Sequence, residues 1–252
     1  MRWGRLSAEN HRGVRVPIAL GLWLVAGAVV GAVIVAAVDR VGSGGWVVAA
    51  GSLLVAAAGL VDDLNPGGPR GLRGHLRALA SFHVTTGTVK LVVVGAVSLV
   101  VVSALPSRPL PVLLAGAVGI AACANLWNGL DVVPGRALKA FLPAAAVIWL
   151  ARPALALALA PTMPGVVVAA VLALPLDLRE RAMLGDGGAN LLGFTVGVGA
   201  YLVLPGWGLV AVAVIAVALN VLADTVTLSR VIDAVAPLRW FDRLGRAAAD
   251  PR

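Results

Sequence analysis

The amino-acid sequence predicts an all-α polytopic membrane protein with about eight transmembrane helices and both termini cytoplasmic. Three observations carry this expectation. Of 252 residues, 60% are hydrophobic and 13% charged, with a mean hydropathy of +0.96. A soluble domain is roughly 45–50% apolar and about 25% charged. Apolar stretches recur along the whole chain with no separate polar domain, so residues 1–252 read as a single membrane-embedded unit. Finally, if the stretches are threaded back and forth eight times, 17 of the 20 basic residues fall on one face. The positive-inside rule makes that face cytoplasmic.

Each stretch is judged against the ~20 apolar residues that cross a hydrocarbon core, fewer where the bilayer thins. Val16–Val38 is the first, too long and too apolar for the core of a signal peptide. Trp46–Val61 follows the glycine-rich turn Gly42-Ser43-Gly44-Gly45. Thr85–Leu105 and Leu110–Ala124 are separated by Ser107-Arg108-Pro109. Leu138–Leu176 must hold two spans, turning either at Arg152-Pro153 or at Pro161-Thr162-Met163-Pro164-Gly165. Ala189–Leu204 and Trp207–Ala223 are hinged at Pro205-Gly206. Only Arg40, Arg108 and Arg152 lie on the outer face in this threading.

The net charge of +8 is dispersed through short loops, with no contiguous basic face interleaved with aromatics, so a nucleic-acid partner is not expected. Cys123 is the sole cysteine, and no disulfide framework exists. An Arg-, Ala-, Val- and Gly-rich composition points to a bacterial chain and hence to the inner membrane. The bilayer midplane carries no charge, which argues against an ion-coupled transporter, whose ionisable residues sit at mid-depth. The acids Asp62, Asp63, Asp131, Asp177, Glu180, Asp186 and Asp224 instead gather at cytoplasmic ends of spans. A carboxylate near hydrocarbon is costly and marks function.

Three polar segments carry candidate chemistry. In Gly59-Leu60-Val61-Asp62-Asp63-Leu64-Asn65-Pro66, two adjacent carboxylates end an apolar helix, where the helix dipole disfavours both. A divalent cation is the natural compensation, since Mg²⁺ takes one or two carboxylates plus substrate phosphates. The alternative is a solvated helix stop. In Asn125-Leu126-Trp127-Asn128-Gly129-Leu130-Asp131, the polar residues recur every third position and share a helix face. C-capping by Asn and Gly accounts for one of them. In Met183-Leu184-Gly185-Asp186-Gly187-Gly188-Ala189-Asn190, glycines at a helix N-terminus let backbone N–H groups approach a phosphate. The same residues also make an ordinary turn. Lys90, near the cytoplasmic start of its span, either pairs with a phosphate or snorkels to the interface.

The order and spacing of these segments resemble the polyprenyl-phosphate N-acetylhexosamine-1-phosphate transferases, the family that includes the phospho-MurNAc-pentapeptide translocase. The family places an aspartate pair, an Asn-x-x-Asp-Gly-x-Asp segment and a Gly-Asp segment on successive cytoplasmic loops. Here those loops are 62–84, 125–137 and 177–188, two spans apart each time. Residues 10–17, Asn10 to Pro17, resemble the family's N-terminal loop, and Arg239–Arg246 looks like the tail of a short branch. The resemblance implies catalytic Asp62, Asp63 and Asp186. It puts Asp63 and Asp186 on Mg²⁺ (Mn²⁺ in its place) and Asp62 on the lipid phosphate, the two members of the pair being interchangeable. Asn125, Asn128, Gly129, Leu130 and Asp131 would contact the nucleotide, with Lys90 on the lipid phosphate. The implied partners are polyprenyl phosphate, a UDP-sugar and the bilayer; the oligomeric state, a homodimer included, is left open.

Four positions depart from the family pattern. Leu64-Asn65-Pro66 follows the aspartate pair where many members carry lysine, and Asn128 replaces the first aspartate of Asp-Gly-x-Asp. Met183 stands where the pentapeptide translocases have an aromatic residue, and Leu228–Arg252 contains no histidine. His11, His75 and His83 are isolated and read as interfacial. The metal-side carboxylates are kept and the nucleotide-side residues are changed. That pattern fits a changed sugar donor or a silent relative that binds lipid-linked intermediates or scaffolds envelope enzymes.

Overall fold

The computed structural model describes residues 7–9, 13–38, 41–65, 74, 81, 83–223, 226 and 228–246. Arg70, Arg73 and Arg77, whose spacing in the sequence suggests an interfacial helix against anionic headgroups, lie outside them, as do His11, His75, Asp39, Arg40 and Asp224. The protein is all-α apart from one antiparallel hairpin, β1 (Ser7–Glu9) on β2 (Arg15–Pro17). Eleven helices follow among the described residues: α1 (Ala19–Val38), α2 (Ser43–Leu64), α3 (Thr86–Ala104), α4 (Leu110–Leu130), α5 (Arg136–Ala151), α6 (Pro153–Leu159), α7 (Met163–Leu178), α8 (Gly185–Val203), α9 (Gly206–Ala223), α10 (Leu228–Ala234) and α11 (Ala236–Arg243).

Five of these, α1, α2, α3, α4 and α9, are long and apolar enough to cross a membrane. A sixth span results if α5 and α6, bent by 107° at Arg152, are one broken crossing. The chain is a multi-pass membrane protein. Its outward face is apolar, with Leu150 80%, Trp207 79% and Val38 77% exposed. A soluble bundle would cover such side chains, whereas lipid covers them at no cost. Each of the eight spans expected above corresponds to one helix of 16 residues or more, yet α7 has only 16 residues and α8 includes Asp186, Asn190 and Thr195.

α8 is the axis of the bundle. All of its 19 residues except Asp186, Val196 and Val203 are buried, against α4, α2, α1 and α5. Glycine makes the close approach possible. A Cβ on Gly193 would stand 2.2 Å from the Cys123 carbonyl oxygen of α4, so the two backbones touch directly. The same device joins α1 to α7, where a Cβ on Gly165 would meet the Gly27 carbonyl oxygen at 1.9 Å. Ser52, Ser98 and Thr195 are buried and donate to carbonyls one turn back, so they add no unsatisfied group to the apolar core.

Two local expectations change. The first apolar run does not begin helically at Val16, because Pro17 has no N–H and its carbonyl accepts from Met183 N–H at 3.0 Å. Leu20 N–H returns to the Met183 carbonyl at 3.2 Å, so the hairpin end is laid along the entry to α8. Between α5 and α7 both candidate turns are used: the helix breaks at Arg152, and α7 starts afresh at Met163 after α6.

Candidate functional site

Four of the sequence-predicted carboxylates converge on the first turn of α8. The last turn of α2 packs against it because Gly59 has no side chain. A Cβ there would lie 2.6 Å from the Asp186 carbonyl and the Gly187 nitrogen. The following turn of α2 thereby carries Asp62 and Asp63 to α8. Asp63 Oδ1 accepts from the Asp186 amide at 3.0 Å and Oδ2 from the Gly187 amide at 3.2 Å. Asp131, which follows the last residue of α4, lies close enough to Asp63 and Asp186 to feel both their charges. Two of the four amides that a helix start leaves without intrahelical partners are thus held by the Asp63 carboxylate of α2. The helix dipole favours negative charge there.

This corrects the expectation that those amides would face a phosphate: two of them are occupied by the protein's own acid. Gly185 is required on two counts, since its φ is +66° and a Cβ would sit 2.7 Å from Asp63 Oδ2. Asp131 is a half-buried acid beyond the end of its span. Burial, reinforced by the charges of Asp177, Asp186 and Asp63, pushes its carboxyl well above the usual range, with the Gly185 amide opposing.

The other aspartates meet a cation. Lys90 Nζ, on the first turns of α3, lies 2.7 Å from Asp62 Oδ2 and makes a second, shorter ion pair with Asp186 Oδ2. Thr86, one turn earlier on α3, donates its hydroxyl to Asp62 Oδ1. The Lys90 side chain is 8% exposed, Asp62 17% and Asp186 29%, so Asp186 is the most open member. Three carboxylates against one ammonium leave the cluster net negative. Lys90 is therefore no snorkelling lysine: its ammonium is the counter-ion of two acids.

The remaining predicted residues do not join this cluster. Asn125 Nδ2 donates to Asn220 Oδ1 of α9 at 2.6 Å, and Asn220 Nδ2 donates to the Ala122 and Ala216 carbonyls at 2.9 and 2.8 Å. Asn125 is thus a helix-packing residue, turned away from Asp131 despite the shared three-residue spacing. Gly129 faces Leu228, Leu130 packs on the core, and Asn128 is half-buried beside them. His83 is exposed and bonded to the Ser81 carbonyl, in line with an interfacial role.

Sequence reasoning missed Thr86, although the run Thr85-Thr86-Gly87-Thr88 signals a capped helix start, and Thr85 does accept from the Thr88 amide at 3.1 Å. It also missed a second buried cluster. Arg136 binds Asp242 through Nε at 2.8 Å and Nη2 at 3.2 Å, and Ser229 Oγ at 2.9 Å. Lys139 Nζ donates to the Phe241, Asp242 and Leu244 carbonyls, and Arg246 Nε to Pro134. These contacts dock the tail on the loop after Asp131. No local pattern pairs residues 106 positions apart.

Among the described residues, no three His, Cys, Asp or Glu side chains are grouped to hold a metal ion by themselves. Mg²⁺ needs only one or two carboxylates where phosphates and water complete its shell. Asp62 and Asp186, which share the Lys90 ammonium, are the two carboxylates of the cluster whose side chains are not bonded to the α8 amides. A scan against protein-family models finds no match, and neither curated proteins nor solved structures give one.

Proposed function

We propose that this protein transfers a sugar-1-phosphate from a UDP-sugar to polyprenyl phosphate, releasing UMP, at the inner membrane of a bacterium. The observation that carries the reading is the meeting of the three polar segments at one helix start, with a lysine among them. The aspartate pair, Asp131 and Asp186 are more than 50 residues apart in the chain, yet Asp63 is bonded to the first turn of α8 and Asp131 lies within electrostatic reach of both Asp63 and Asp186. Solvated helix stops would have no reason to meet. In this reading all eight long helices cross the bilayer and both termini are cytoplasmic. The segregation of basic residues supports that arrangement.

The division of labour follows the geometry. Asp63 spends its oxygens on backbone amides and holds the site's frame. Asp62 and Asp186 are the pair that would hold Mg²⁺ or Mn²⁺, which supplies charge neutralisation to the phosphates. In the step itself, a lipid-phosphate oxygen bonds to the sugar-linked phosphorus. The bond from that phosphorus to the bridging oxygen breaks, and UMP leaves with the electron pair. Lys90 is placed to turn its ammonium from the carboxylates to the entering phosphate, and Thr86 keeps Asp62 oriented while it does so.

A second reading, the silent relative that binds a lipid-linked intermediate, is favoured by the structural roles of Asn125 and of the α8 amides, both assigned above to substrate. UMP release separates the two. Purified protein with undecaprenyl phosphate, Mg²⁺ and a panel of UDP-sugars is expected to release UMP with one donor, and Asp186→Asn to abolish it. No release from folded wild-type protein across the panel would support the silent relative instead.

A further inference from the structure

The tail helix α11 buries an acid and exposes its large apolar side chains. At 100° per residue, Asp242 lies opposite Trp240 and, at the helix end, Leu244. The Asp242 side faces inward, while Arg243 is 67% exposed. Asp242 is 5% exposed and clamped by Arg136 and Arg246, while Lys139 donates to three tail carbonyls. The large apolar side chains face out: Trp240 is 66% exposed, Leu244 50%, Leu238 47%, Val235 43% and Phe241 39%. Five large apolar side chains within ten residues are a concentration that water does not tolerate without a cover.

The clamp also sets the depth of the helix. Arg136 is the first residue of α5 and Lys139 lies one turn further in, about 5 Å along the helix axis. The tail bonded to both is therefore level with the membrane end of α5, in the headgroup zone, and does not stand off in solvent. Arg230 and Arg243 are exposed on the same segment, matching anionic headgroups. Tryptophan among aliphatic side chains, flanked by arginine, is the composition that lies in an interface.

We propose that α11 is an interfacial membrane helix whose exposed apolar side chains, Trp240 and Leu244 with Phe241 and Leu238 at the flanks, insert into the leaflet at the site end of the bundle. The buried Arg136–Asp242 pair fixes its roll so that these side chains point at lipid. The inference is independent of the transferase reading. Its test places a single environment-sensitive fluorophore in the full chain, in nanodiscs of phosphatidylethanolamine and phosphatidylglycerol, at Leu238→Cys, Trp240→Cys or Leu244→Cys. Cys123 is buried and does not compete for the label. Asp233→Cys, 54% exposed, serves as the solvent control.

Emission at the three apolar positions is expected to be blue-shifted. A headgroup-level nitroxide lipid is expected to quench them at least threefold more than the control, and iodide correspondingly less. Iodide quenching at all four positions alike would overturn the proposal, as would protection from both quenchers, which is the signature of a protein cover such as a second copy. A second variant, Asp242→Asn, frees the roll of the helix, and the difference between apolar positions and control is expected to shrink. Unchanged quenching there would refute the fixing role of the ion pair.

Discussion

Replacing Lys90 by methionine tests whether the carboxylate cluster is built around a cation. The methionine keeps the length and apolar stem of the lysine and removes only the charge. It leaves Asp62 and Asp186 facing each other with Asp63 behind them. Breaking a buried ion pair by deleting one partner costs about 3–5 kcal/mol. Asp62 is 17% and Asp186 29% exposed, so water recovers part of that loss and about 2–4 kcal/mol is expected here. At roughly 2–4 °C per kcal/mol for a chain of this size, the detergent-solubilised variant should melt about 5–15 °C below wild type in EDTA. A divalent cation then does what the ammonium did. At a free concentration 100 times its Kd, Mn²⁺ restores about 2.7 kcal/mol, most of the deficit, while wild type, still carrying Lys90, responds less. Thermal unfolding with and without Mn²⁺ reads both effects. A variant melting with wild type in EDTA would show that the ion pairs carry no stability. A destabilised variant indifferent to Mn²⁺ would show that Asp62 and Asp186 do not accept a divalent ion.

Three further perturbations probe the frame around that pair. Gly185→Ala forces an alanine to φ +66° and a Cβ to 2.7 Å from Asp63, so a loss of about 2–4 kcal/mol is expected from left-handed strain and a weakened charge-assisted bond, read as a lower melting temperature. Asp131 has a folded pKa above its unfolded value of about 4, so ionisation opposes folding and wild type gains stability as pH falls from 8 toward 4. Asp131→Asn keeps the shape of the side chain and lacks that gain; parallel melting profiles against pH would contradict the assignment. Asp242 is the opposite case: burial raises its pKa, but hydrogen bonds and charge from Arg136 and Arg246 outweigh that and hold it below the usual value. Its contribution is present above about pH 4 and lost as pH falls through the folded value. Asp242→Asn should therefore loosen the tail at neutral pH, with faster tryptic cleavage after Arg239 and Arg243.

The membrane class and the positions of the long helices were legible because hydrocarbon imposes a length and a polarity that a single chain displays directly. The break at Arg152 was only half legible, since arginine-proline stops a helix but does not say whether the next segment crosses or folds back. At the site, the residue types and their segments were readable, and their division of labour was not. Asp62 and Asp63 are neighbours in sequence and differ by about 100° around α2, so one reaches the α8 amides and the other Lys90. Which does which depends on the roll of α2, and the roll is set by the absent side chain of Gly59 against α8. Asn125 shows the same limit. Its spacing from Asp131 is that of a common face, yet Asn220, 95 positions away, claims it.

These contacts imply an order of dependence. The first turn of α8 and the residue Met183 just before it are where Asp63 of α2 and the chain entry at Pro17 and Leu20 are satisfied. Each anchor comes from a different part of the chain, so neither can form until α8 is in place beside α1 and α2. The side chains of Asp62 and Asp186, by contrast, are bonded to α3 through Lys90 and Thr86. The chemically available pair therefore rests on a frame that does not use its oxygens. In the proposed reading, a cation or phosphate enters at Lys90 without undoing the anchor, so ligands bind and leave repeatedly without loosening the bundle.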